Sequence, residues 1–285
     1  MRCPSLCSFC MKTAIRYEGE KNMALAVTAL LIAFSASVIG GICGIGGGII
    51  IKPLLDLIGF ASVSAVNFLS SCTVLCMALY NVGKSRLEHS RAVEAKTGLP
   101  LAVGAAEGGV AGSSVFRAVC RAIGSDRAAG AAQAILLFCL VLGTLLYTLH
   151  KKNIKPRVTD SAAVCVLIGF SLGLLSSFLG IGGGPFNLVV LHYFLGQETK
   201  RAVENSLFII LLSQIANLLM TLLTGSVPDV GLPALLLMAA GGIGGGIVGK
   251  EISKKLSGGI VDKLFSALLV LIMLICVYNA VKLLA

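Results

Sequence analysis

The sequence predicts an all-α protein that crosses a membrane many times. Of its 285 residues, 56% are hydrophobic and 13% are charged, whereas about a quarter of the residues of a soluble domain are charged. The mean hydropathy is +0.95. Apolar runs recur along the chain, and short basic segments separate several of them. These features indicate a polytopic integral membrane protein.

Ten apolar runs account for most of the chain. They lie at about 24–42, 48–60, 62–81, 97–116, 128–150, 161–179, 185–195, 203–224, 229–249 and 261–284. A helix needs about 20 residues to span the hydrocarbon core, so the runs 48–60 and 185–195 are too short to cross alone. Each of these two follows a glycine cluster, and we therefore predict that each is the second arm of a bent helical pair.

The two glycine clusters are Gly44-Ile45-Gly46-Gly47-Gly48 and Gly180-Ile181-Gly182-Gly183-Gly184. Each glycine costs roughly 1 kcal/mol relative to alanine in a helix interior, so both clusters predict unwound backbone. At membrane depth such backbone is tolerated only where protein or water covers it. We interpret the clusters as the non-helical centre of a transport site. The alternative is that these glycines only let helices cross closely.

An internal repeat relates the two halves of the chain. A second glycine series repeats along the chain, and its separation differs by one residue from that between Gly44 and Gly180. That series pairs Gly104, Gly108, Gly109, Gly112 and Arg117 with Gly241, Gly245, Gly246, Gly249 and Lys254. We predict transmembrane repeat 1 at 23–150, a basic cytoplasmic linker at 151–157 and transmembrane repeat 2 at 158–285. Residues 1–22 are predicted to be a non-native or disordered extension, with Met23 as the true start.

Charge in the gaps between runs predicts that the repeats are inverted. Basic residues fill the gaps 84–96, 151–157, 196–202 and 250–260, whereas the gap 225–230 has none. The positive-inside rule places basic gaps in the cytoplasm. If each bent pair counts as two crossings, these gaps all lie inside and each repeat crosses the membrane five times. Because five is odd, the two repeats have opposite orientations. The gap 117–127 is basic and conflicts with this topology. The predicted fold is two inverted repeats, each with a glycine-broken helical hairpin plus three transmembrane helices.

The duplicated clusters, Pro53 and Pro185 near them, and the glycine series that ends at 241–249 resemble the sulfite exporter TauE/SafE family over 24–284. The second half departs from the pattern, since Val189 stands where the first half has Pro53. The resemblance implies a carrier of sulfur-containing or organic anions, such as sulfite, sulfonates and sulfoacetate-like compounds. It also implies a bacterial cytoplasmic membrane location. Import and export are equally compatible with it.

An anion that crosses the bilayer must exchange water for hydrogen-bond donors that are already oriented. The candidate substrate-binding residues are therefore the glycines of the breaks and the polar residues inside apolar runs. They are Gly46, Gly47, Gly48, Lys52, Asn67, Ser70, Ser71, Gly182, Gly183, Gly184, Asn187, Asn205, Ser206 and Gln214. Lys52 either neutralises the anion or reaches the interface. Glu107 is a candidate for proton coupling, since burial favours a protonated carboxyl.

Other function classes find less support in the sequence. We predict no catalytic residues, no metal site and no cofactor, since nucleophile–base, metal-ligand and dinucleotide patterns are missing from the apolar runs. The net charge of +10 reflects basic residues between those runs rather than a nucleic-acid surface. The expected partners are a small anion and membrane lipid. An anion channel or a structural membrane protein is the alternative to a carrier.

Overall fold

The computed structural model describes residues 25–87, 95–159 and 161–284. Within these ranges the chain forms ten α-helices and no strands. The helices are α1 Leu25–Cys43, α2 Gly48–Ile58, α3 Val63–Leu87, α4 Ala95–Ile123, α5 Asp126–His150, α6 Ala162–Phe178, α7 Phe186–Leu195, α8 Thr199–Leu223, α9 Leu232–Lys255 and α10 Gly258–Leu284. The predicted extension 1–22 lies outside the described residues.

Seven of the described helices are long and apolar enough to cross a membrane: α1, α3, α4, α5, α8, α9 and α10. The short helices α6 and α7 flank the second glycine cluster, and α2 follows the first. The prediction of an all-α polytopic protein is thus confirmed. Several helices extend past the predicted apolar runs. α3, for example, continues to Leu87 because its last turn carries Lys84 and Arg86, and basic side chains stabilise a helix C-terminus.

The glycine series at 104–112 packs α4 directly against the backbone of α6. A Cβ on Gly104, Gly108 or Gly112 would overlap the carbonyl oxygens of Val166, Phe170 or Leu174. Glycines of α6 return the contact, since Gly169 and Gly173 lie against carbonyls of α4. Small residues allow this close approach of helices in a bilayer.

The glycine series at 241–249 packs α9 against α1 in the same way. Here the carbonyl oxygens of Leu30, Phe34 and Val38 lie against Gly241, Gly245 and Gly249. Leu30, Phe34 and Val38 precede Val166, Phe170 and Leu174 by the same number of residues as Gly44 precedes Gly180. Both series therefore serve helix packing, and they do so at equivalent positions in the two halves.

The halves are interleaved rather than side by side. α3 packs against α9 of the second half, and α8 packs against α4 of the first. α3 and α8 also contact each other at the centre of the molecule, and α5 packs on α10. The two glycine clusters are therefore held between α3 and α8.

Candidate functional site

Both glycine clusters break the helix in the same conformation. In the first, between α1 and α2, Gly44 and Gly46 have φ angles of 70° and 67°. In the second, between α6 and α7, Gly180 and Gly182 have φ angles of 65° and 67°. Only glycine adopts this left-handed region without steric cost. The unwinding that the glycine content predicts is therefore present in both clusters.

The two breaks meet each other inside the protein. A Cβ on Gly48 would overlap the carbonyl oxygen of Ile181, and a Cβ on Gly183 would lie 3.1 Å from the carbonyl oxygen of Ile45. Ile45 and Ile181 occupy the same position in the two clusters. Each break thus packs against the equivalent carbonyl of the other, and the glycines at this junction leave no room for a side chain.

A short helix starts at each break without a side-chain cap. Gly47 is the N-cap of α2 and Pro185 is the N-cap of α7, and neither accepts a hydrogen bond through its side chain. The first N–H groups of a helix have no intrahelical partner and carry partial positive charge. Two such helix starts beside one junction favour an anionic group there.

Two polar side chains lie against the junction without a hydrogen-bond partner. Ser70 Oγ is 2.9 Å from the Cβ position of Gly48, and Gln214 Cδ is 3.3 Å from that of Gly182. Both residues have an exposed fraction of 0%, and neither the Ser70 hydroxyl nor either amide atom of Gln214 is paired. A buried polar group without a partner costs about 1–3 kcal/mol, and the Ser70 hydroxyl and the Gln214 amide can each bond to a ligand at the junction.

A polar cavity of about 130 Å³ lies on one side of the junction. We name it the Asn67 cavity. Its polar lining consists of Ser64, Asn67, Ser71, Ser113, Arg117, Ser177, Asn217, Thr221 and Ser226. Neither amide atom of Asn67 has a partner, nor do Ser177 Oγ and Asn217 Oδ1. Gly180 of the second break also lines this cavity, so the cavity reaches the junction.

A second cavity, of about 270 Å³, lies at the opposite ends of α3 and α8. We name it the Asn81 cavity. It is lined by Gly41, Asn81, Ser85, Lys200, Val203, Glu204, Leu207, Lys250, Ser253 and Lys254. Lys250 Nζ donates hydrogen bonds to the carbonyl oxygen of Asn81 at 2.8 Å and to Ser85 Oγ at 2.6 Å. The lining carries three lysines and one acidic residue, Glu204, which gives this cavity a net positive charge.

The two cavities are built from equivalent positions. Each residue that lines the Asn81 cavity has a repeat counterpart that lines the Asn67 cavity. The pairs are Gly41 with Ser177, Asn81 with Asn217, Ser85 with Thr221, Lys200 with Ser64, Val203 with Asn67, Glu204 with Phe68, Leu207 with Ser71, Lys250 with Ser113, Ser253 with Phe116 and Lys254 with Arg117. The correspondence indicates that one set of repeat positions lines a cavity at each end of the α3–α8 pair.

An apolar cluster separates the cavities. It consists of the buried residues Val74 and Ala78 of α3 and Ile210 and Leu211 of α8. Val74 and Ile210 are themselves equivalent positions of the repeat. The Cβ position of Gly46 is 3.2 Å from Val74 Cγ1 and 3.4 Å from Ile210 Cδ1. The pair therefore lies directly against the first break, between the parts of α3 and α8 that line the two cavities.

Most of the predicted site residues gather at the junction or at the Asn67 cavity. Gly46, Gly48, Ser70, Gly182, Gly183 and Gln214 lie at the junction, and Asn67 and Ser71 line the cavity. Gly47 packs against the backbone of Ala36 in α1, and Gly184 packs against the ring of Phe186. These two glycines support the breaks rather than face a cavity.

Four predicted residues line neither the Asn67 cavity nor the Asn81 cavity. Lys52 has an exposed fraction of 3% and forms an ion pair with Asp56 at 3.0 Å. Asn187 Nδ2 donates to Ser206 Oγ at 3.4 Å. Asn205 Nδ2 donates to Gln197 Oε1 at 2.8 Å. All four thus have a protein partner, and the side-chain oxygens of Asn187 and Asn205 are buried without one.

Several lining residues are missing from the sequence-based candidates. Ser177 lies near the end of the apolar helix α6, and a serine at the end of such a run gives no sequence signal. Asn217, in contrast, is one of the polar residues of the apolar run 203–224 that the sequence indicates as possible donors, and it follows Gln214 by one helical turn on the same face. Asn81 and Lys250 lie toward the ends of long helices, where polar residues are expected in any membrane protein.

Comparison with known proteins agrees with the architecture. The chain is 24% identical over 278 residues to a protein named probable membrane transporter protein YunE from Bacillus subtilis (strain 168), covering 90% of this chain and 98% of the relative. No solved structure matches the chain. The seven long apolar helices and this transporter relative identify a multi-pass protein of the bacterial cytoplasmic membrane.

The family model described as sulfite exporter TauE/SafE matches residues 29–275, which contain both breaks, both cavities and the apolar cluster between them. This family is one of membrane transporters, and its description implies a small anionic substrate. The chain belongs to the TauE/SafE family of membrane transporters.

Proposed function

We propose that this protein is a secondary transporter that moves a small sulfur-containing or organic anion across the cytoplasmic membrane. Sulfite, sulfonates and sulfoacetate-like compounds form the proposed substrate class. The site is the junction of the two glycine breaks. The observation that carries the proposal is the contact of the breaks with each other, with an uncapped helix start at each, between two cavities at opposite ends of α3 and α8.

The proposal includes two inverted repeats. The start of α3 and the end of α8 line the Asn67 cavity, whereas the end of α3 and the start of α8 line the Asn81 cavity. The two helices are equivalent in the repeat, and they run in opposite directions. A pseudo-two-fold axis in the membrane plane accounts for both facts, and this is a common arrangement in secondary transporters.

Charge assigns a side of the membrane to each cavity. Lys200, Lys250 and Lys254 line the Asn81 cavity, and the positive-inside rule places them in the cytoplasm. Ser226 and Pro228, from the connection without basic residues, line the Asn67 cavity. In this proposal the Asn81 cavity opens to the cytoplasm and the Asn67 cavity opens to the opposite side.

Transport requires the apolar pair Val74 and Ile210 to separate from one break at a time. An anion at the junction would exchange water for the amide of Gln214, the hydroxyl of Ser70 and the free N–H groups at the helix starts. These donors are held in place before the anion arrives, which reduces the cost of ordering them. Rocking of one repeat against the other would then open the junction to the second cavity.

The sulfur chemistry rests on the family description alone, because the relative's name specifies only a membrane transporter. Proton coupling through Glu107 stays a prediction: the side chain is exposed on α4 and lines neither cavity. An anion channel is the competing function. The closed apolar cluster between the cavities favours a carrier, and a conductance far above carrier turnover would favour a channel.

Binding to purified protein in detergent tests the site. We expect one sulfur anion among sulfite, methanesulfonate, sulfoacetate and thiosulfate to raise the unfolding temperature, and acetate to raise it less. Gln214→Leu and Ser70→Ala should remove the shift. Ser171→Ala is the matched control, because that serine is exposed on α6 and bonds only within its own helix. An unchanged shift in both junction variants would contradict the site.

A further inference from the structure

The Asn67 cavity carries donor groups that the junction does not use. Asn67 has an exposed fraction of 9%, Asn217 of 7% and Ser177 of 5%. Each has at least one polar side-chain atom without a hydrogen-bond partner, and both amide atoms of Asn67 are unpaired. Buried polar side chains are nearly always satisfied, so three of them around one cavity point to a ligand.

Charge in this cavity selects the sign of that ligand. Arg117 lines it, and no acidic residue is among its lining residues in the described chain. Arg117 is only half-buried and donates to Ser114 Oγ at 3.2 Å through one guanidinium nitrogen, which leaves other N–H groups for a ligand. A guanidinium suits an oxyanion because several of its N–H groups can bond to one anion.

Size limits the ligand to a small ion. The cavity has a volume of about 130 Å³, several times the roughly 10–15 Å³ of such space that a single water needs. An ion with three or four oxygens therefore fits together with water. Phe68 and Phe116 form part of the wall and leave no second charged group for a dianion with widely separated ends.

The equivalent cavity lacks this donor set. Val203 occupies the position of Asn67, and Leu207 that of Ser71. Lys250 stands where the Asn67 cavity has Ser113. The Asn81 cavity can therefore attract an anion by charge, whereas the Asn67 cavity can orient one by hydrogen bonds. The repeat alone does not require this difference.

We propose that the Asn67 cavity is a separate binding site for a small oxyanion, held by the amides of Asn67 and Asn217, the hydroxyl of Ser177 and the guanidinium of Arg117. The ion waits there before it enters, or after it leaves, the junction of the breaks. The proposal rests on the proposed function for the identity of the ion as a transport substrate. The binding itself depends only on the cavity.

A tryptophan reporter tests the site directly, since the chain contains no tryptophan. Phe68→Trp places a single reporter on the half-buried wall of the Asn67 cavity. We expect sulfite and methanesulfonate to change its fluorescence in a saturable way. Arg117→Gln and Asn67→Leu in this background should each weaken binding at least tenfold. Arg121→Gln removes an equal charge one turn further along α4, outside the cavity, and should change the affinity less than twofold.

Two further outcomes separate this inference from the proposed function. Gln214→Leu should leave the fluorescence titration unchanged, because that residue lies at the junction rather than in the cavity. If the reporter protein transports anions but its fluorescence never responds, or responds equally in the Arg117 and Asn67 variants, the separate site is wrong and the transporter stands. If the fluorescence responds while the wild-type protein moves no anion, the cavity binds an ion and the transport proposal is wrong.

Discussion

Gly48, the first residue of α2, lies directly against the carbonyl oxygen of Ile181 in the other break. A methyl group on Gly48 would overlap that oxygen, and no rotamer change can relieve a clash with backbone. We expect Gly48→Ala to lower stability by about 1–3 kcal/mol, as overpacking does, and to abolish anion transport. Thermal unfolding in detergent and flux in proteoliposomes measure the two effects.

Gly83→Ala is the control for Gly48→Ala. Gly83 lies in α3, and a Cβ there would meet no atom within 4 Å. Alanine favours a helix by roughly 1 kcal/mol over glycine, so this variant should be as stable as wild type or more so. A Gly48→Ala protein with wild-type stability and flux would contradict the contact between the breaks.

The apolar pair Val74 and Ile210 makes a second prediction. Ile210→Ala removes much of the contact that closes the route between the cavities, so anion efflux from loaded proteoliposomes should rise several-fold. Ile209→Ala is the matched control. That residue is also buried but belongs to the main core rather than to this cluster. Both variants should lose about 2–5 kcal/mol of stability, so an equal effect on flux would argue against a gate.

The buried ion pair of Lys52 and Asp56 makes a third prediction. Lys52→Met leaves the Asp56 carboxylate without its partner, which should cost about 3–5 kcal/mol. The double variant Lys52→Met with Asp56→Leu should recover most of that loss, because both charges are then removed. If the recovered double variant has lost anion binding, Lys52 contacts the substrate. Normal binding would make its role structural.

The α4–α6 interface makes a fourth prediction. Gly108 lies against the carbonyl oxygen of Phe170, so Gly108→Ala should force the helices apart and lower the unfolding temperature. Gly143→Ala, in α5, should not, because a Cβ at Gly143 would meet no atom within 4 Å. Differential scanning fluorimetry on the two variants gives the comparison. Equal unfolding temperatures would show that close packing of this glycine series contributes nothing to stability.

The sequence predicted the helical segments and the breaks well for a physical reason. Runs of apolar residues must be helical in a bilayer, since every backbone group needs a partner there. Four glycines in five positions must unwind such a helix. The positive φ angles at Gly44 and Gly180 follow from the same local chemistry, and no tertiary information was needed to expect them.

Tertiary placement was less accessible from the sequence. An amide in an apolar run signals a polar environment, but it does not say which neighbour satisfies it. Asn205 stays a predicted substrate ligand: its amide nitrogen donates to Gln197 and its side-chain oxygen is unpaired. Ser177 was not a candidate, yet it lines the Asn67 cavity. The apolar closure by Val74 and Ile210 was equally hidden, because valine and isoleucine are common throughout membrane helices.

The most direct test of the central claim is counterflow of radiolabelled sulfite in proteoliposomes that contain the wild-type protein or Gln214→Leu. We predict saturable uptake by the wild-type protein, driven by unlabelled sulfite inside, and loss of most of that uptake in the variant, because the unpaired amide at the junction is removed. Uptake that is missing, that rises linearly with concentration, or that is equal in the two proteins would contradict transport through the junction of the breaks.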